Sequence, residues 1–186
     1  MNVQLPVHLD KPTFLTWVQG REERYELVDG RVVMMPGVSR DHGLIVGNLY
    51  VELRRQLDRS KWSVIAEFGL DSGPDTLRYP DIVVDRADGA GKDYTASEPA
   101  LLAEVLSPST TAIDLGDKAA EYLQIPSLIA YLVLSQDEPK AWLWMRRDGQ
   151  FAPGAEIASG IGAILRVPTL GLELMLSQIY SGIRFP

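Results

Sequence analysis

The sequence predicts a single α/β domain over residues 1–186 with an N-terminal β-hairpin. Three observations lead there. ALLAEVL (100–106) is an almost unbroken apolar run of strand length, the pattern of a central strand covered on both faces, and a helical stretch follows it closely. Leu44, Ile45, Leu49, Leu53 and Leu57 recur at the spacing of one helix face. YELVDGRVVMMP (25–36) places two β-prone segments either side of Asp29-Gly30, a pair that favours the positive backbone angles of a tight hairpin turn.

Taken in order, KPTFLTWVQG (11–20) predicts a short helix that begins at Pro12 and Thr13, shows Phe14, Trp17 and Val18 on one face and stops at Gly20. The hairpin follows, then the long helix over 41–59. WSVIAEFGL (62–70) reads as a strand, SGPDTLRY (72–79) as a loop, and DIVVD (81–85) as a short strand introduced by Pro80. Residues 87–99 are polar and contain glycine, so they form a surface loop. After ALLAEVL, a helix is expected over 111–124, with Ser109 or Thr110 as its cap and Ile113, Ala120 and Leu123 facing inward. IAYLVLS (129–135) and KAWLWMRR (140–147) read as two antiparallel strands, 163–168 as a further short strand, and 172–182 as a closing helix.

Composition narrows the function classes. Hydrophobic residues make up 46% and charged residues 23%, the proportions of a folded globular chain. No cysteine is present, which excludes disulfide staples, thiolate metal sites and cysteine nucleophiles, and fits a cytoplasmic setting. The N-terminal MNVQLPVHLDKPTF lacks a basic start followed by an apolar stretch, and no apolar run is long enough to span a bilayer, so neither secretion nor membrane insertion is expected. The formal charge of −7 opposes strong, non-specific attachment to a phosphate backbone and makes any nucleic-acid affinity salt-sensitive.

Glu104 is the informative residue. It lies inside an apolar run, where an ionised carboxylate needs a positive partner, either a metal ion or a buried Arg or Lys. Asp81 opens another apolar strand. If the two strands are neighbours, both carboxylates reach one cation, and oxygen-only ligation suits Mg2+ or Mn2+ better than zinc. The structural alternative is that Asp81 merely follows a turn while Glu104 forms an internal ion pair.

YELVDG, then YPD, then AEVLSPST, then DLGDKAAEY, in that order over about residues 13–144, resembles the Uma-type family of putative restriction endonucleases, within the PD-(D/E)XK nuclease superfamily. The resemblance implies a restriction-endonuclease-like α/β core, a mixed β-sheet flanked by helices, with Asp81 and Glu104 as the two acidic motifs that bind Mg2+ (or Mn2+) and DNA as substrate. The lysine usual two residues beyond the second acid is Leu106 here, and the family pattern implies Lys118 of DLGDK in its place. Asp114, four residues earlier, also permits a plain Asp–Lys helix pair. Glu26 matches a further acidic position, either a third metal ligand or an outward residue of the hairpin. His42 and Tyr122 are candidates for substrate contact or for support of the ligands. The segment IPSLIAYLVLSQD departs from the family pattern.

The sequence therefore predicts a metal-dependent endodeoxyribonuclease in which Asp81 and Glu104 bind the ion and Lys118 assists the attacking water. The alternatives are a non-catalytic nucleic-acid- or protein-binding module of the same fold and an oligomerising structural protein; a homodimer is also expected. Arg54, Arg55, Arg59 and Lys61, with Arg146 and Arg147, form the densest basic groups, either phosphate contacts or solvated helix-end charges. Trp142 and Trp144 alternate on one strand and read as packing residues.

Overall fold

The structure is a computed structural model and describes residues 8–106 and 113–185. Helix α1 (Lys11–Val18) starts as expected: Asp10 accepts a hydrogen bond from Thr13 N at 2.8 Å and Pro12 occupies the first turn. Strands β1 (Tyr25–Val28) and β2 (Arg31–Met34) form the hairpin, and Asp29 and Gly30 both take positive φ, 47° and 74°. Helix α2 (Arg40–Gln56) buries Ile45, Leu49 and Leu53, the predicted face. Its cap is Ser39, two residues before the expected start, whose Oγ accepts from His42 N at 3.1 Å.

Strand β3 (Trp62–Ala66) is shorter than expected, and the stretch read as a loop is instead a hairpin, β4 (Leu70–Gly73) and β5 (Thr76–Arg78). Its Gly, Pro and Asp residues hide the strands locally. What makes them strands is tertiary: β5 pairs with β1 at Leu27 and Leu77, so the two hairpins merge into one sheet of order β2-β1-β5-β4. Strands β6 (Ile82–Arg86) and β7 (Leu101–Val105) flank the loop over 87–99. Buried Asp85 shapes that loop by accepting from Ser97 N at 2.9 Å and Glu98 N at 2.8 Å.

The expected cap at Ser109 or Thr110 and the helix start at Thr111 lie outside the described residues. From Ile113 to Asp117 the chain makes a π-helical turn and continues as α3 (Lys118–Tyr122). Ala119 and Tyr122 face inward while Ala120 is exposed, because the wider turn rotates the buried face from that of a regular helix. Strands β8 (Ala130–Leu134) and β9 (Lys140–Arg147) are antiparallel, and β10 (Gln150–Phe151) and β11 (Glu156–Ser159) both add to β9.

The expected closing helix is half strand. After β12 (Ile164–Val167), Gly171 at φ 68° turns the chain into β13 (Leu172–Met175), which pairs with β12, and only α4 (Leu176–Ile179) is helical. Leu172 and Leu174 are buried and Glu173 is exposed, a period of two that overrides the helix propensity of the segment.

The main sheet runs β10-β9-β8-β7-β6-β3, with β7 and β8 parallel and the other pairs antiparallel. Leu101, Ala103 and Val105 of β7 pack on one face with α2, α4 and β13, whereas Leu102 packs on the other with Tyr122 of α3 and Tyr131. Each fully buried leucine or isoleucine there contributes about 1.5–3 kcal/mol. Glu104 shares the face of Leu102, so the side of β7 that carries the acid is the side covered by α3. Among the described residues, no helix is long and apolar enough to cross a membrane.

Candidate active site

Strand register brings the two acids together. Pairing of Ile82 with Ala103 sets Asp81, one residue before, alongside Glu104, one residue after. Asp81 is fixed at both oxygens: Oδ2 accepts from Val105 N at 2.7 Å, and Oδ1 lies 3.1 Å from His42 Nε2. The Ser39 cap therefore matters for the site, because it fixes the first turn of α2 and thereby the approach of the His42 ring to Asp81.

Glu104 is 5% exposed, and two groups of α3 donate to its Oε1, Lys118 Nζ at 2.8 Å and Tyr122 OH at 3.2 Å. Lys118 also lies 3.1 Å from Asp114 Oδ1, which has no directed hydrogen bond among the described residues. This pair is buried, at 8% and 2% exposure, and is not the solvated helix-surface pair allowed by the sequence. The Asp114 carbonyl accepts from Tyr131 OH at 3.0 Å, anchoring the π-helical turn to β8.

Behind these residues stands a second ionic group. Arg78 of β5 donates to Glu26 at 3.2 Å and to Glu121 of α3 at 2.9 Å, and Tyr79 N donates to Glu26 at 3.0 Å. Glu26 is thus a buried acid occupied by a guanidinium and a backbone amide, not an outward hairpin residue. Ser72 adds a hydrogen bond to Glu121. Arg78 ties β1, β5 and α3 together, so it sets where Lys118 stands relative to Glu104.

The charge balance is unequal. Glu104 and Asp114 share one ammonium, that of Lys118, and burial, aided by Asp81 and Asp114 and opposed by Lys118, pushes the Glu104 carboxyl up to about 8. Burial works to lower the Lys118 pKa, but Glu104, Glu26 and Asp114 outweigh it and hold the ammonium charged well above its ordinary range. Arg78 is likewise held charged by Glu121 and Glu26 against burial. The Tyr122 hydroxyl is pushed far up by burial and by Glu104, so it remains a donor.

The donor set fits a hard divalent cation. Asp81 and Glu104 line the cleft with carboxylate oxygens, the donor type that suits magnesium or manganese. Among the described residues, no group of three or more Asp, Glu or His side chains is arranged as a closed metal cage. The pair would leave the remaining positions of such an ion to water and substrate, as Mg2+ commonly requires.

A cavity of about 480 Å³ opens onto this cluster; Glu26, His42, Asp81, Glu104 and Lys118 line it, with Tyr122 behind Glu104. All the site residues expected from the sequence therefore meet at one place. The basic groups do not. Arg55 pairs with Glu52, Lys61 with Asp58 and Arg147 with Glu156, while Arg146 donates to the carbonyls of Leu128, Ile125 and Gly149. Trp144 stacks on Tyr131 with centroids 5.5 Å apart, as a packing residue. Sequence reasoning missed Arg78 and Glu121. The available signal was that a buried acid at position 26 requires a cation, and nothing local says which.

A mixed sheet with helices on both faces and an acid-lined cleft at the ends of its central strands defines a protein of restriction-endonuclease-like architecture. The chain belongs to the Uma2 family, described as "Putative restriction endonuclease", whose profile matches residues 12–175. It is 29% identical to the uncharacterized protein slr1290 of Synechocystis sp., over 95% of this chain and 94% of that one. It is also 29% identical to sll1609 of the same organism, over 61% of this chain and 67% of that one. Among solved structures, the crystal structure of a putative nuclease belonging to DUF820 from Anabaena variabilis superposes with a TM-score of 0.76. That alignment covers 96% of this chain and 100% of the other at 17% identity, a likeness of fold.

Proposed function

We propose that this protein is a divalent-metal-dependent endodeoxyribonuclease whose catalytic residues are Asp81, Glu104 and Lys118. The observation that carries the reading is the convergence of Asp81 and Glu104 at the base of one cleft, with Lys118 Nζ 2.8 Å from Glu104 and 3.1 Å from Asp114. Asp81 and Glu104 would hold Mg2+ or Mn2+. Such an ion supplies Lewis-acid chemistry, polarising a phosphoryl oxygen and acidifying water.

The chain's own residues do the rest. His42 and the amide of Val105 hold Asp81 in one orientation, and Tyr122 holds Glu104. Lys118 remains an ammonium, so its part is to orient water by N–H donation and to stabilise negative charge developing on the phosphate. Arg78, bound to Glu26 and Glu121, keeps α3 and its lysine in register with the strands.

Three observations favour a second reading, a nucleic-acid- or protein-binding module without catalysis. Lys118 already neutralises Glu104 internally, the position two residues beyond Glu104 is Leu106, and the chain carries a formal charge of −7. The two readings separate on plasmid and single-stranded DNA at low salt with Mg2+ or Mn2+, comparing wild type with Glu104→Ala and Lys118→Ala. Nicking lost in both folded variants supports the nuclease. A rise in thermal stability with metal that disappears in Asp81→Asn reports the ion site separately. Metal binding with no cleavage of either DNA favours the binding module.

A further inference from the structure

The cleft has two unlike walls. One carries the acids and Lys118; the other, formed by β2 and the residues after it, presents Val33, Met34, Met35, Pro36 and Val38 to the same cavity. Packing does not account for this second wall, since Val33, Met34 and Val38 are 45%, 61% and 52% exposed and β2 is the edge strand of its sheet. Edge strands are commonly protected by charged side chains, and clustered exposed apolar residues mark an interaction surface.

We propose that this wall is a subsite for an unpaired nucleobase, so that the strand cut at the acid cluster is single-stranded DNA; the inference rests on the nuclease reading above. Charge supports this occupant. Double-helical DNA is held mainly by neutralising many phosphates with Lys and Arg. The cations that line this cleft among the described residues are engaged by acids: Arg24 by Glu67, Arg78 by Glu26 and Glu121, and Lys118 by Glu104 and Asp114. Single strands are gripped through their base faces as well as their charge. Methionine, flexible and polarisable, suits a planar ring of any identity.

Depth and size agree. Glu104 and Lys118 lie at the floor of the cleft, 5% and 8% exposed, so a phosphodiester must enter to reach them. A duplex bends only over a persistence length of about 50 nm, whereas a single strand can thread and turn a base aside. The cavity of about 480 Å³ lies within the range of about 300–1,000 Å³ typical of pockets that enclose one small ligand. None of the five wall side chains carries a hydrogen-bond donor, so the wall grips a base without reading which base it is.

The test uses a fluorescent oligodeoxynucleotide, alone or annealed to its complement, with Mn2+ for cleavage and with Ca2+ for anisotropy without turnover. Wild type is expected to prefer the single strand about tenfold in both measurements. The double variant Val33→Ser, Met34→Ser should raise KM for the single strand about tenfold, the effect of losing apolar burial equivalent to part of each side chain. Ile157→Ser, at an exposed apolar side chain of β11 that does not line the cleft, should leave KM as it was. Equal cutting and binding of the two DNA forms overturns the inference, as does an unchanged KM in a folded double variant. A dimer that dissolves in the double variant while the single-strand KM stays fixed also overturns it and makes the wall a contact between copies of this chain. Hydrolysis of neither oligonucleotide nor bis(p-nitrophenyl) phosphate by wild type refutes the nuclease reading; the anisotropy preference then still decides the subsite.

Discussion

Replacing Glu104 by glutamine tests the charge imbalance directly. Gln keeps the shape of the side chain and an oxygen able to accept from Lys118 and Tyr122, but it cannot ionise. In the wild type, the folded protein holds the Glu104 proton up to about pH 8, whereas the unfolded chain releases it near the ordinary value of 4.5. Folding therefore takes up a proton between those values, stability falls as pH rises through the window, and it is level above the folded pKa. One proton corresponds to about 1.4 kcal/mol per pH unit, so the wild type should lose on the order of 3 kcal/mol relative to Glu104→Gln between about pH 5.5 and pH 7.5. The assay is urea denaturation of both proteins at several pH values with divalent ions chelated. Differencing the two curves cancels every other titrating group to first order. A difference that stays flat across the window would mean that Glu104 is ionised throughout and that Lys118 alone satisfies it. The electrostatic case for a bound cation would then fall.

Two further substitutions probe the scaffold. Arg78→Met leaves Glu26 and Glu121 without their shared cation and should cost about 3–5 kcal/mol in urea denaturation, as expected when one member of a buried ionic group is removed. A loss below 1 kcal/mol would show that the guanidinium is not what ties β1, β5 and α3 together. Gly69→Ala would place a methyl 2.2 Å from the Tyr94 carbonyl oxygen, where Ala96 N already bonds Gly69 O at 2.8 Å, and should cost about 1–3 kcal/mol by forcing the loop over 87–99 outward. A thermal melt of this variant superimposable on wild type would contradict that close approach.

Part of the fold and most of the candidate site were legible because the signals were local. Asp29-Gly30 dictates its turn through backbone angles, the leucines of α2 dictate a face by spacing, and an acid within ALLAEVL is conspicuous wherever the strand lies. The β4–β5 hairpin was not legible: its strands are stabilised by pairing with β1, far away in sequence. β13 was misread as helix because its burial alternates only when Gly171 has turned it against β12.

The sequence by itself determined which chemical groups were available: two acids at apolar strands, a lysine at 118, no thiol and a net negative chain. Only the tertiary structure decided their state. Register set Asp81 beside Glu104, and a π-helical turn brought Lys118 and Asp114 inward. Two hairpins joined through Arg78 then closed over them, and burial raised Glu104 to about 8. The physical reason is that a side chain's identity is fixed by the codon, whereas its charge depends on the water removed and the neighbours supplied, and both come from residues distant in the chain.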